Sequence, residues 1–135
     1  MALISWKADY SVNIAEIDQQ HKKLIDMIND LHTAMSEKRG KEVVGDVLKK
    51  LADYTVFHFT AEERLLRTNE YPEYEEHKDK HEKMTAKVLA LQDDVKSGKL
   101  TVSMEVMNFL KNWLDKHILG TDMQYSGFLN GKGVN

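Results

Sequence analysis

Apolar side chains recur along most of the chain in steps of three and four, the period of an α-helix with one buried face. Ile17, His21, Leu24, Ile25, Ile28, Leu31 and Met35 make a first stripe. Val44, Val47, Leu48, Leu51, Thr55, His58, Glu62 and Leu65 make a second. Tyr74, His77, His81, Met84, Val88, Leu91 and Val95 make a third, close to an a/d seam. Val106, Phe109, Leu110, Trp113, Leu114, His117 and Ile118 make a broad fourth. Gly40, then Asn69 and Pro72, then Ser97 and Gly98 interrupt the pattern, and the stretches between them are too long for strands. No Asn-Gly or Asp-Gly signal marks a hairpin. The pattern predicts helices over 16–38, 41–67, 72–97 and 102–119, a non-helical arm over 1–15 carrying Trp6 and Tyr10, and a tail over 121–135.

The expected helix ends agree with this division. Glu16 or Asp18 suits the positive N-terminal end of the first helix. Gly40 suits a stop after it, and Gly98 a stop after the third. Pro72 suits a first helical turn, where a missing N–H is harmless, and Thr101 or Ser103 suits an N-cap for the fourth. Four helices with short connections imply an all-α, up-down-up-down antiparallel four-helix bundle. A chain of 135 residues fits one domain of this kind.

Composition narrows the chemistry. The chain has no cysteine, which excludes disulfides, iron–sulfur clusters, thiolate zinc sites and cysteine nucleophiles. Any metal site must use imidazole and carboxylate. A formal net charge of -3 gives no support to nucleic-acid binding. No apolar run is long enough for a membrane span, and residues 1–12 have no secretory apolar core, so the expected location is cytoplasmic, without membrane insertion.

The six histidines lie on the apolar stripes or in register with them. Buried polar groups are costly unless partnered, so several on different helices need a common partner. His58 and Glu62 stand one helical turn apart on one face, as do His77 and His81. His117 closes the fourth helix, and a turn at Gly120 and Thr121 would bring Asp122 back to the bundle end. In an antiparallel bundle, His21, His58 with Glu62, His77 with His81, and His117 with Asp122 fall at one level. His32 lies about 16 Å further along the first helix and reads as a core or boundary histidine outside this layer.

Five imidazoles and two carboxylates are too many ligands for a single first-row ion. Two ions that share both carboxylates, with an oxo or hydroxo bridge, use them fully: three histidines complete one ion, and two leave the other with an open position. Iron, zinc, manganese and copper all suit such ligands.

These residues resemble the hemerythrin family, in particular its bacterial single-domain members. The resemblance runs from Trp6 to Leu129 and rests on DQQH at 18–21, HFTAEE at 58–63, EYEEHKDKH at 73–81 and WLDKHILGTDMQY at 113–125. It implies a non-haem centre of two Fe ions, with His77, His81 and His117 on one and His21 and His58 on the other. Glu62 and Asp122 would bridge them. It also implies reversible O2 binding at the five-coordinate iron, for oxygen storage, transport or delivery to an accepting protein.

Reversible binding needs a dry pocket. Leu24, Phe59, Trp113 and Ile118, each next to a ligand position or one turn from it, are expected to wall that pocket. Tyr125, three residues beyond Asp122, is expected to support a carboxylate through a hydrogen bond. Two other roles use the same centre. One is an O2-sensing domain of a signalling protein. The other is a peroxidase, NO-handling or iron-oxidising activity, and no acid or base beside the open position favours it.

Overall fold

The computed structural model describes residues 4–37, 41–97 and 104–135. It is a four-helix bundle built from α1 (Ala15–Ser36), α2 (Lys41–Thr68), α3 (Tyr74–Lys96) and α4 (Met104–Lys116). Helix α1 packs on α2 and α4, and α2 packs on α3. Gly40, Gly98, Thr101 and Ser103, with the helix ends expected of them, lie outside the described residues.

Three local features depart from the sequence pattern. The arm is not wholly irregular, because a short 3-10 turn spans Ala8–Tyr10. Helix α3 starts at Tyr74, so Pro72 precedes the helix and does not occupy its first turn. The chain does not turn at Gly120 and Thr121. It continues as a π-helical turn, His117–Asp122, and then as α5, Met123–Gly131, so most of the expected tail is helical.

The arm is fastened by its own polar groups. Asp18, in the first turn of α1, accepts hydrogen bonds from the Val12 N–H at 2.8 Å and the Ser11 hydroxyl at 2.5 Å. Asn13 takes the left-handed conformation at φ 58°, a region that asparagine tolerates better than most residues. The resulting bend buries Val12 and Ile14 against the bundle end.

Helix α2 stops in a Schellman arrangement. The Tyr71 N–H reaches the Leu66 carbonyl at 2.9 Å and the Glu70 N–H reaches that of Arg67 at 3.1 Å. Glu70, at φ 57°, takes the left-handed position usually given to glycine. Tyr71 and Leu66 pack in the same apolar cluster, which seals the turn.

Two apolar clusters result. The larger runs through Ile28, Leu31, Leu48, Leu51, Leu110 and Leu114. The smaller closes one end with Ile17, Leu66, Tyr71, Tyr125 and Leu129. Along α1, His21 lies between Ile17 of the smaller cluster and Leu24 of the larger. Along α2, His58 and Glu62 precede Leu66 in the same way. A polar layer is therefore sealed between two apolar ones.

Candidate metal centre

Every one of the seven predicted ligand side chains is buried, and none is more than 3% exposed. His21 comes from the start of α1, His58 and Glu62 from the end of α2, and His77 and His81 from the start of α3. His117 and Asp122 come from the π-helical turn that follows α4. Neighbouring helices thus run in opposite directions through this layer.

The π turn explains how His117 and Asp122 meet the same site. At 3.6 residues per turn, positions five apart in an α-helix diverge by about 140°. Closing the backbone on the fifth residue removes that divergence, and the Met123 N–H bonds to the Ile118 carbonyl in this way. His117 Nε2 then stands 2.9 Å from Asp122 Oδ2.

The two carboxylates sit at the middle of the cluster. Glu62 Oε1 is 2.6 Å from His58 Nε2, 3.2 Å from His117 Nε2 and 3.7 Å from His81 Nε2. Asp122 faces both sides. Its Oδ2 lies 2.7 Å from His21 Nε2, and its Oδ1 lies 3.2 Å from His77 Nε2.

The donor atoms fall into two groups: His21, His58, Glu62, His117 and Asp122 in one, and Glu62, His77, His81 and Asp122 in the other. Both carboxylates belong to both groups, the arrangement that two adjacent cations need. Within the first group, His117 Nε2 and His21 Nε2 both converge on Asp122 Oδ2.

Electrostatics couples these groups. Burial works against charge on His21, His58, Glu62, His81, His117 and Asp122. It pushes the His81 imidazole down to about 3, with Glu62 pulling the other way. For His117 burial also opposes the charge, but Asp122 and Glu62 together outweigh it and raise the group to about 10. Burial would raise both carboxylates, and the Asp122 charge adds to this at Glu62, yet the imidazoles around them hold both below the usual range.

Some hydrogen-bonding capacity stays unused. Among the described residues, His77 Nε2, His81 Nε2 and Asp122 Oδ1 are buried without a hydrogen bond, although His77 Nε2 and Asp122 Oδ1 lie 3.2 Å apart. Orphaned buried polar atoms are rare and call for an explanation. Two imidazole nitrogens and a carboxylate oxygen directed into one interior fit a cation.

The apolar wall is partly in contact with the cluster. The Phe59 ring stacks on His81 with centroids 4.0 Å apart and lies 4.9 Å from the His117 ring. Trp113 lies parallel to His117 at 6.1 Å. Leu24 and Ile118 are fully buried in the same apolar cluster as Phe59 and Trp113. On its outer side, Phe59 borders a surface groove of about 330 Å³ between α2 and α3, with Val56, Glu63, His81 and Leu89 among its lining. Leu24, Trp113 and Ile118 do not line that groove.

Tyr125 sits where a supporting group was expected, its hydroxyl 2.5 Å from Glu62 Oε2. His32 is half-buried and belongs to neither donor group.

Two further polar residues touch ligand rings and were not anticipated. Gln20 Oε1 lies 2.7 Å from His58 Nδ1, and Glu63 Oε2 lies 3.1 Å from His81 Nδ1. A signal for both was present in the periodicity. Gln20 continues the Ile17 to Leu24 stripe, and Glu63 lies between Phe59 and Leu66 in the same register.

Fold and site together define a helical-bundle protein with a buried histidine–carboxylate cation site. Residues 12–129 match the hemerythrin HHE cation binding domain. The chain belongs to the hemerythrin family. It is 34% identical to a bacteriohemerythrin of Methylococcus capsulatus, over 96% of this chain and 99% of that protein. It is 36% identical to one from Stenotrophomonas maltophilia, over 93% of this chain and 81% of the other. A hemerythrin-like protein of Naegleria fowleri is 34% identical, over 93% and 92% respectively. The crystal structure of a wild-type hemerythrin superposes with a TM-score of 0.89 at 32% identity, covering 95% of this chain and 98% of that one. No helix among the described residues is long and apolar enough to cross a membrane.

Proposed function

We propose that this chain binds O2 reversibly at a di-iron centre held by His21, His58, Glu62, His77, His81, His117 and Asp122, and serves to store, carry or deliver it. The observation that carries this reading is the pair of donor groups with both carboxylates in common. A bound iron pair supplies the reversible electron donation on which O2 uptake depends.

The chain's own residues make that chemistry reversible. Glu62, through Oε1, and Asp122, through both oxygens, would set the spacing of the two positions, since each belongs to both donor groups. The two carboxylates would also offset part of the cationic charge in a site whose ligands are at most 3% exposed. Leu24, Phe59 and Ile118 contribute only carbon, and Trp113 contributes an indole N–H that neither gives up nor takes a proton near neutral pH. Such a wall excludes water and supplies no proton with which reduced oxygen could leave. It therefore favours release of O2 over turnover, and the chain reads as a carrier more than as an enzyme.

The test is gas recovery. The reduced, iron-loaded protein should take up a single O2 per iron pair and return it on evacuation. Consumption of O2 with release of hydrogen peroxide would instead show an oxidase.

A further inference from the structure

The ligand rings of the two donor groups are held from outside by acceptors of different charge. His58 Nδ1 meets the neutral amide oxygen of Gln20 at 2.7 Å, in a fully enclosed position. His81 Nδ1 meets the carboxylate of Glu63 at 3.1 Å, and the Glu63 side chain is 22% exposed where it borders the α2–α3 groove. By contrast, Nδ1 of His21 and Nδ1 of His117 are buried with no hydrogen-bond partner among the described residues.

An acceptor at Nδ1 fixes a hydrogen there and leaves Nε2 as the nitrogen whose lone pair a bound cation would take. Both Nε2 atoms face Glu62 Oε1, at 2.6 Å for His58 and 3.7 Å for His81. A hydrogen bond to an ionised carboxylate is roughly twice as strong as one to a neutral amide. It also moves electron density through the ring toward Nε2, which makes that nitrogen the better donor.

We infer that Glu63 is a positioning residue that acts through His81 and makes the two metal positions electronically unequal, the His77–His81 side being the more electron-rich. Gln20 holds His58 in the same tautomer without adding charge. The pair sets which position gives up an electron more readily and which binds a cation more tightly. This inference rests on the reading of the site as a two-metal centre.

The experiment titrates the metal-free protein with Co(II), whose ligand-field and paramagnetic proton spectra report each position. Wild-type protein should take up a pair of ions. Glu63→Ala should weaken one of them by about 10–100-fold, the usual effect of removing such an outer partner. Glu63→Gln keeps size and hydrogen-bonding capacity but removes the charge. It should move the shifted His81 ring N–H signal and leave that of His58 in place. Gln20→Glu should do the reverse, moving the His58 signal alone. Wild-type affinity in Glu63→Ala together with an unmoved His81 signal in Glu63→Gln would overturn this inference alone. Failure of the wild-type chain to bind a pair of ions would overturn it together with the two-metal reading.

Discussion

Tyr125 donates its hydroxyl to Glu62 Oε2 at 2.5 Å, across 63 positions of the chain. Both residues are buried. Burial, then the charges of Asp122 and Glu62, hold the phenol well above its ordinary range, so it stays a donor. With Oε2 pinned in this way, Oε1 is left to face the histidines. Tyr125→Phe deletes the donor and leaves a buried carboxylate oxygen unsatisfied. The metal-free protein should lose about 1–3 kcal/mol in urea unfolding, and metal affinity should fall about 10–100-fold in a Co(II) titration. Unchanged values in both would contradict the role assigned to Tyr125.

How much of this was legible in the sequence depends on the period of the backbone. His21, His58, Glu62, His77 and His81 lie on regular α-helices, so steps of three and four bring them to one layer. His117 and Asp122 are five apart, a spacing the α-helical period cannot place on one face. The sequence pattern therefore called for a turn at Gly120 and Thr121, where the backbone instead widens into a π turn and continues as α5. Gln20 and Glu63 were missed for a different reason. Each is a single polar residue on an apolar stripe, and the period of its own helix says nothing about a ring on another helix. Their histidine partners come from a neighbouring helix, α2 for Gln20 and α3 for Glu63.

Removing one ligand should separate metal binding from folding. His58 belongs to the group that also holds His21 and His117. The apolar clusters on either side of the layer do not depend on it. His58→Ala should keep the helical circular dichroism of the wild type and lose or weaken one of the two bound ions. Full retention of both ions, measured as metal per chain after dialysis, would contradict the assignment.

A polar intrusion tests the wall. Ile118 is fully buried and adjoins His117 in the chain. Ile118→Glu introduces a group able to pass a proton into the dry layer. Air oxidation of the iron-loaded protein should accelerate, followed as loss of the reversible visible absorption. An oxidation rate equal to that of the wild type would show that Ile118 does not line the O2 position.

The pH dependence of stability has two ends. Glu62 and Asp122 are held below their ordinary values by the surrounding imidazoles, against the effect of burial. Their contribution is complete above the ordinary carboxylate range and is lost as pH falls through the folded-state values. At the alkaline end, burial and then the hydrogen bond to Asp115 push Tyr10 up to about 12. The stability this adds is complete below the usual value of 10.0 and is lost as pH rises toward 12. Tyr10→Phe should flatten that alkaline decline in a urea series taken across this range. An identical decline in wild type and variant would contradict the assignment.

The central claim is a pair of iron ions that takes up O2 and releases it intact. The direct measurement loads the chain anaerobically with ferrous iron, counts iron per chain, and follows the visible spectrum through repeated cycles of air and argon. The account predicts two irons per chain and a visible band that rises in air and vanishes under argon, cycle after cycle. A chain that holds a single iron, or a band that forms once and never reverses, would contradict it.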